Sequence, residues 1–285
     1  MQSLKSEKII KIILVIAGFL IAIYLSGFYR WIDTNLFNER MKDLSGRFLF
    51  REDWSEISFA KEKFDYSWLG DEEPILIAHA LGAPGLPSQN TLSEMAAIST
   101  NGLRFMEVDL WLDDKGKIRC HHGPDRPSQF KKGDCTFEEA LDLAKNRNLW
   151  LVLDIKTDFK QTGEEIFKRV NKHDSKRIIF QLYRPEHAKA FRKWHQLKPF
   201  AGPIITLYLA RRSANHVQEK LLGSSFEVLT VPTNRLGAVN FQQKQVKILT
   251  HPVHNCEKFH DLKKYKLDGL YVTNRISQEI KAGCS

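Results

Sequence analysis

Histidines and carboxylates recur at the ends of short apolar runs in this sequence. His79 closes one run, Glu107 and Asp109 lie in a second, and the pair His121-His122 ends a third. Histidine transfers protons near neutral pH. Two carboxylates at positions i and i+2 of a strand point the same way and can bind one hard cation. Together with Asp154-x-Lys156 at the end of a further run, these residues predict metal-assisted phosphodiester chemistry.

The composition is that of a globular protein with a basic surface. Hydrophobic residues make up 42% of the 285 positions, which excludes a disordered chain. The formal net charge of +9 and the isoelectric point near 9.3 favour anionic partners such as phospholipid headgroups or nucleic acid. Lysine and arginine are scattered and no nucleic-acid-binding motif is present, so we predict a membrane partner and no nucleic acid.

An apolar, uncharged run occupies residues 12–28 and follows Lys5, Lys8 and Lys11. Extended to residues 9–29, it is long enough to span a bilayer if Lys11 reaches the interface. The preceding lysines predict a cytoplasmic N-terminus and a catalytic domain on the extracytoplasmic side, periplasmic or extracellular. A cleaved signal peptide is the alternative, although no small-x-small cleavage site follows. Residues 1–30 are therefore predicted to be a cytoplasmic stub with a single-pass anchor, and residues 31–74 a juxtamembrane connector.

From residue 75 to residue 283, short β-type runs alternate with helix-like stretches. The predicted helices include residues 91–99, 136–145, 163–171 and 185–194. The predicted strands are residues 75–79, 105–110, 149–155, 177–182, 203–209, 226–231, 246–250 and 269–273. Apolar strands separated by helices are typical of a parallel sheet covered on both faces. Eight of them predict an α/β fold of the (β/α)8 TIM-barrel type; a doubly wound open sheet is the alternative, but no Gly-rich phosphate loop follows any strand.

One connection is too short to contain a helix. Residues 113–116 can form only a turn, so residues 117–122 are predicted to run antiparallel to the second strand. A hairpin centred between Lys115 and Gly116 would place Asp109 opposite His122. That arrangement puts a histidine beside a carboxylate at the C-terminal end of a strand, where barrel enzymes have their active sites.

Four cysteines, Cys120, Cys135, Cys256 and Cys284, are compatible with disulfides in an oxidising compartment. Their spacing does not match a zinc site. Cys120 and Cys135 bracket the two adjacent histidines, and a bridge between them would fix a catalytic loop. Two free thiols are the alternative.

In order and spacing, this set of residues resembles the glycerophosphodiester phosphodiesterase family, which is related to phosphatidylinositol-specific phospholipase C. The resemblance covers about residues 74–280. It is carried by His79, Gln89-Asn90-Thr91, Glu107-Val108-Asp109, Gly116, His122, Asp154-Ile155-Lys156 and residues 268–274. Ala80 and Gln89 depart from the family pattern, which has Arg and Glu there. No room exists after His122 for the family's small inserted domain, which implies a site open to a bulkier substrate such as a membrane lipid or a glycopolymer unit.

The resemblance implies a phosphoric diester hydrolase acting on a glycerophosphodiester or phospholipid-related substrate. His79 and His122 would share the acid and base roles, and a hydroxyl within the substrate would attack first to give a cyclic phosphate. Glu107, Asp109 and Asp154 would bind one divalent cation, Ca²⁺ or Mg²⁺, that stabilises charge on the phosphoryl oxygens. The candidate substrate-binding residues are Lys156, Asn90, Gln181, Tyr208 and Tyr271.

Several alternatives remain open from the sequence. The three carboxylates could form a structural ion-pair network with Lys156, because buried charges need partners whatever the function. A metal-independent lyase resembling phosphatidylinositol-specific phospholipase C is a second enzymatic alternative. A degenerate barrel that binds phospholipid headgroups or a partner protein at the membrane is the non-enzymatic one, motivated by Ala80 and Gln89. His251 is interpreted as a structural histidine, with a place at the barrel mouth as the alternative.

Overall fold

The computed structural model describes residues 52–70, 74–82, 90–123, 135–207 and 213–284, together with Ile16 and Gly18, which are helical. Nearly all of these residues belong to one compact unit, Glu52–Tyr208 and Ala214–Ser285. The other unit, Met1–Arg51 with Leu209–Ser213, is described only at Ile16, Gly18 and Ser213. None of the helices within the described ranges has the length and apolar character needed to cross a bilayer. The predicted span at residues 9–29 lies outside the described residues except at positions 16 and 18.

Eight parallel strands form a closed barrel, which confirms the predicted TIM-barrel fold. The first strand pairs with the second on one side and with the last on the other, so the sheet has no open edge among the parallel strands. In spatial order the strands are β1 (Ile75–Ala78), β2 (Phe105–Leu112), β4 (Trp150–Ile155), β5 (Ile178–Leu182), β6 (Ile204–Thr206), β7 (Val228–Pro232), β8 (Lys247–Val253) and β9 (Gly269–Val272). The remaining strand, β3 (Ile118–Cys120), pairs antiparallel with β2.

Helices follow most of the strands. They are α1 (Ser55–Ser58), α2 (Leu92–Thr100), α3 (Phe137–Arg147), α4 (Phe159–Arg169), α5 (Pro185–Leu197), α6 (Ala214–Leu221), α7 (Cys256–Leu262) and α8 (Asn274–Lys281), with 3₁₀ helices at His79–Gly82, Asp174–Arg177 and Thr233–Ala238. Their capping residues explain where they begin. Thr136 and Glu139 form a capping box at the start of α3, and Asp158 accepts the Gln161 N–H at the start of α4. Because of the Asp158 cap, α4 begins four residues before the predicted position 163.

The antiparallel direction of β3 agrees with the prediction, but the predicted register of the hairpin is wrong by one residue. Trp111 pairs with Arg119, and Asp109 lies opposite His121, whose N–H donates to the Asp109 carbonyl at 2.9 Å. The physical reason is the turn. The Asp113 N–H donates to the Lys117 carbonyl, and the Asp113 carboxylate accepts the Lys117 N–H, which closes a three-residue loop. Gly116 takes a φ of +73°, the geometry of a longer hairpin loop with a bulge.

Strand alternation divides the barrel interior into layers. An apolar layer near the strand starts contains Ile77, Phe105, Val152, Ile179, Val228 and Leu249. Two residues further along each strand, the side chains on the same face are polar. These positions are His79, Glu107, Asp154, Gln181, Thr230 and His251. The polar layer therefore lies toward the C-terminal ends of the strands, the end at which barrel active sites occur.

Residues 60–70 cross the other end of the barrel. Trp68 is 4% exposed and its ring lies 6.0 Å from that of Phe105, so it fills the barrel interior at the strand starts. The Tyr66 hydroxyl donates to the Pro203 carbonyl at 3.0 Å. The compact unit thus begins at Glu52 rather than at the predicted boundary of residue 75, because aromatic residues of the predicted connector are part of the barrel core.

Candidate active site

Three buried carboxylates meet at the C-terminal end of the barrel. Glu107 and Asp109 come from β2, and Asp154 comes from β4, where it pairs in register with Asp109. The three residues are 1%, 1% and 5% exposed, respectively. Their ligand oxygens lie within 4.8 Å of one another, a spacing at which one cation can contact all three.

Asp109 is held by a lysine and an asparagine. Lys156 Nζ lies 2.9 Å from Asp109 Oδ1, and Asn90 Nδ2 donates to Asp109 Oδ2 at 2.8 Å. Asn90 Oδ1 accepts the Asp109 N–H in return. Burial acts to raise the pKa of the Asp109 carboxyl, but Lys156 and the Asn90 hydrogen bond outweigh it and the pKa is lowered. Asp109 therefore carries its negative charge at neutral pH.

Only one of the two carboxylate oxygens of Asp154 has hydrogen-bond partners among the described residues. Its Oδ2 accepts from Lys156 Nζ at 2.6 Å and from the Tyr183 hydroxyl, also at 2.6 Å. Its Oδ1 is buried and has no hydrogen-bond partner among the described residues. A buried carboxylate oxygen without a partner is costly unless something else binds it. Lys156 and Tyr183 thus orient Asp154 so that one oxygen is available to a ligand.

Glu107 is the carboxylate least able to carry a charge as the site stands. Ala80, with a left-handed φ of +48°, donates its N–H to Glu107 Oε2 at 2.6 Å. Burial, followed by repulsion from Asp109 and Asp154, raises the pKa of Glu107 well above 4.5. Three carboxylates and one ammonium leave an excess of two negative charges, of which a proton on Glu107 removes one and a bound divalent cation would offset both. The donor set therefore fits a hard divalent cation.

His79 lies beside the carboxylates at the end of β1. Its Nδ1 is buried without a hydrogen-bond partner among the described residues. Burial lowers its pKa below 6.5, although the charges of Asp109 and Asp154 oppose this shift. The ring centroid lies 6.2 Å from that of Tyr271 and 6.3 Å from that of His251. His79 is therefore neutral at physiological pH and can accept a proton.

The structure also places the second candidate histidine near the carboxylates. His122 is exposed, and its electrostatic interaction with Asp109 helps to lower the pKa of that carboxyl, so it lies within electrostatic reach of the site. His121 Nδ1 instead accepts the Gly123 N–H at 3.2 Å. Just before these histidines, Cys120 forms a disulfide with Cys135, with a Cα–Cα distance of 5.1 Å.

The remaining predicted substrate-binding residues lie at different depths. Gln181 is buried and accepts from the Thr206 hydroxyl at 3.0 Å. Tyr271 packs in the apolar layer, where burial raises its pKa, and Tyr208 lies outside the described residues. Sequence reasoning missed Tyr183. Its position two residues beyond Gln181 on the same strand face was the signal that could have identified it.

We expect Asn90→Ala to destabilise the fold by roughly 2–4 kcal/mol, because the buried Asp109 loses a donor and alanine must adopt a φ of +58°. The matched control is Asn148→Ala, since Asn148 has a φ of +57° but is exposed. The control should lose only about 1 kcal/mol from backbone strain. Urea unfolding of both variants measures the difference, and equal losses would contradict a structural role of the Asn90 side chain.

Solved structures with the same fold include glycerophosphodiester phosphodiesterases. A phosphodiesterase from Oleispira antarctica, in complex with the product sn-glycerol-3-phosphate, is 19% identical with a TM-score of 0.56, and the match covers 76% of this chain and 98% of that one. A glycerophosphodiester phosphodiesterase from Parabacteroides distasonis is 16% identical, with a TM-score of 0.60 and coverage of 74% and 98%. One from Thermotoga maritima is 17% identical, with a TM-score of 0.55 and coverage of 75% and 100%.

No family model matches the sequence, and no curated protein sequence is significantly similar to it. At identities of 16–19%, the likeness to these solved structures shows the fold, and the chemistry must be argued from the site.

Proposed function

We propose that this chain is a phosphoric diester hydrolase of the glycerophosphodiester phosphodiesterase type. Its substrate is a glycerophosphodiester or a phospholipid-related diester, in keeping with the fold that it shares with such enzymes. The observation that carries the proposal is the buried carboxylate triad, in which Asp154 Oδ1 has no hydrogen-bond partner among the described residues, next to a neutral histidine whose Nδ1 is buried.

Glu107, Asp109 and Asp154 would hold one Ca²⁺ or Mg²⁺, which when bound neutralises charge on the phosphoryl oxygens. Lys156 bonds to Asp109 and Asp154 and fixes their orientation. Its ammonium adds positive charge beside the phosphate. Tyr183, the residue directly after β5, donates its hydroxyl hydrogen to Asp154.

His79 and His122 divide the proton transfers. A neutral His79 accepts the proton of the attacking hydroxyl as its oxygen forms the new bond to phosphorus. Exposed His122 donates a proton to the leaving alcohol oxygen as the old phosphorus–oxygen bond breaks. When the nucleophile is a hydroxyl of the substrate's own glycerol, the product of this step is a cyclic phosphate. Water then opens that ring with the same two groups in reversed roles.

The full-length chain is expected to hydrolyse glycerophosphocholine or a related diester when Ca²⁺ or Mg²⁺ is supplied. EDTA should reduce turnover by about 100-fold or more, because among the charged groups described at the site only Lys156 then remains to stabilise charge on the phosphoryl oxygens. Product mass analysis over a panel of diesters identifies the two alcohols. Turnover that is unchanged by EDTA would favour the metal-independent lyase, and absence of turnover on every diester would favour a phospholipid- or protein-binding barrel.

The adjacent histidines provide a matched pair for assigning the second proton-transfer group. We expect His122→Gln to lower kcat by about 100-fold or more and His121→Gln to change it little. The physical reason is that His121 Nδ1 already accepts a backbone N–H, whereas His122 contributes to the field at Asp109. Steady-state kinetics of both variants test the assignment, and the reverse order of effects would contradict it.

We also propose that the chain is membrane-anchored, with the barrel on the extracytoplasmic side. The support is the apolar run at residues 12–28 behind three lysines, together with two disulfides, Cys120–Cys135 and Cys256–Cys284. Disulfides persist outside the reducing cytoplasm. Protease added to intact cells and to spheroplasts that express the chain tests the orientation. We expect the barrel to be digested in spheroplasts, and a barrel that is protected there would contradict the orientation.

A further inference from the structure

A cavity of about 270 Å³ lies outside the barrel, where α3 and the 3₁₀ helix Asp174–Arg177 flank the first residues of β4 and β5. Every residue that lines it belongs to residues 135–207, a range that is described without a gap. The carboxylate triad lies toward the C-terminal ends of the strands, so this cavity is separate from the candidate active site.

The floor of the cavity is apolar. Leu151 of β4 and Ile178 of β5 belong to the core between the barrel and the helices, so their side chains point out of the barrel and not toward its interior. Ala144, which is 2% exposed, lines the cavity from the helix side, and its short side chain leaves space between α3 and the sheet. The apolar lining residues are Leu141, Ala144, Leu149, Leu151 and Ile178. Such a floor favours contact with a hydrocarbon over contact with water.

The volume of the cavity sets the size of the apolar body that fits. An engineered apolar cavity of about 150 Å³ in another protein holds one benzene molecule. By the same ratio, the cavity of about 270 Å³ accommodates roughly ten carbon atoms. That is the size of a medium-chain acyl group, and it is too small for the two chains of a phospholipid.

One wall of the cavity carries an arginine that the fold leaves without an acceptor. Arg177 is half-buried and lines the cavity, and its guanidinium forms no ion pair or hydrogen bond with a described residue. Asp174, three residues earlier, is already bound by Lys145 Nζ at 3.2 Å and by Asn171 Nδ2 at 2.7 Å. A guanidinium has five N–H donors, and removing them from water is costly unless acceptors replace it. Arg177 is therefore positioned to bind an anionic group within the cavity.

The charges that line the cavity leave an excess of one positive charge. Lys145 and Arg177 are basic, and Asp174 is the acidic lining residue. A second carboxylate near Lys145, that of the exposed Asp142 at 4.0 Å, does not line the cavity. The C-terminus of α3 would oppose a bound anion, but carbonyls of its last turn already accept backbone N–H groups. An anionic group beside Arg177 would therefore balance the charge.

We infer that this cavity binds a small amphipathic anion, with an apolar body of roughly ten carbon atoms and one carboxylate or phosphate group. The body lies on the apolar floor, and the anionic group accepts charge-assisted hydrogen bonds from Arg177. His173 and Asn148 also line the cavity and offer further N–H donors. A neutral alcohol of the same length leaves the guanidinium without an anion, and a small anion without a hydrocarbon body gains nothing from the floor. Both parts of the ligand are therefore needed for tight binding.

Chemical-shift titration of the full-length chain, labelled with carbon-13 at the methyl groups of isoleucine and leucine, tests this site without depending on turnover. The probes are octanoate, octyl phosphate, octanol and acetate. We expect saturable shifts of the Leu151 and Ile178 methyl signals with octanoate or octyl phosphate, and the tighter of the two identifies the anionic group. Octanol should bind about tenfold or more weakly, and acetate should cause no shift. The methyl signal of Ile248 in β8, outside the cavity, should not move with octanoate.

Two variants and one control separate the charge from the floor. Arg177→Gln should weaken octanoate binding about tenfold or more and leave octanol unaffected, whereas Arg147→Gln, which changes an exposed arginine outside the cavity, should change neither. Ala144→Leu occupies the floor and should weaken both ligands, with unchanged methyl signals elsewhere as evidence that the fold is intact.

Three results would overturn the assignment of this cavity. Equal affinities of the wild-type chain for octanoate and octanol, or an unchanged octanoate affinity in Arg177→Gln, would show an apolar crevice that does not select an anion. The absence of any saturable shift at Leu151 and Ile178 would show that the cavity holds only solvent. None of these readouts involves the phosphodiester site, so they stand whether or not the proposed activity is found.

Discussion

His79→Gln is expected to reduce kcat/KM for a glycerophosphodiester by about a thousandfold, within the range typical of a lost general base or acid. Glutamine preserves much of the volume but cannot accept a proton from a hydroxyl. His79 Nδ1 has no hydrogen-bond partner among the described residues, so the substitution breaks no described contact of that atom. Steady-state kinetics give the size of the effect. The control is His254→Gln, because His254 is an exposed histidine near enough to influence the pKa of His79.

The pH dependence of the same variant distinguishes proton transfer from packing. A base must be unprotonated, so kcat/KM falls as pH drops through the pKa of His79. Burial lowers this pKa below 6.5 against the opposing charges of Asp109 and Asp154, which places the acid limb below pH 6.5. His79→Gln should remove this limb from the profile. A limb that persists unchanged in the variant would show that another group is the base.

The barrel was predictable because its signals are local and repeated. Each parallel strand is an apolar run followed by a polar residue, and closure into a barrel follows from the number of such units. The same alternation places Glu107 and Asp154 two residues beyond Phe105 and Val152, on the same interior face of the barrel. The convergence of the acidic residues therefore follows from strand period and parallel register.

The features that the sequence analysis predicted wrongly or missed depend on interactions that hydrophobic periodicity does not encode. The β2–β3 register is shifted because the Asp113 carboxylate accepts the Lys117 N–H and extends the turn by one residue. Tyr183 became part of the site through its hydroxyl contact with Asp154 on a neighbouring strand. Trp68 is part of the core because its ring packs near that of Phe105, which is distant in the sequence. Each of these is a tertiary contact, and a single sequence does not specify its partner.

Asp154→Asn is expected to weaken Ca²⁺ or Mg²⁺ binding by about 100-fold or more, since it removes one of three anionic oxygen ligands. Asparagine has nearly the same shape, so the loss measures charge and ligation rather than packing. Isothermal titration calorimetry measures the affinity without a substrate. Asp158→Asn is the matched control, because Asp158 is an exposed helix cap near the same strand end and asparagine caps helices equally well.

The proton balance of this titration tests whether the triad binds a cation or is only an ion-pair network with Lys156. Burial and the charges of Asp109 and Asp154 raise the pKa of Glu107, so below that pKa Glu107 is protonated and a cation must displace its proton. Affinity should therefore rise with pH until Glu107 is ionised. Titrations in buffers of different ionisation enthalpy measure the protons released on binding. In Asp154→Asn one charge that repels Glu107 is lost, so the pKa of Glu107 falls and fewer protons should be released. If wild type and variant bind no cation at any pH, the cluster is an ion-pair network in which Lys156 and a proton on Glu107 offset the carboxylate charge without a metal.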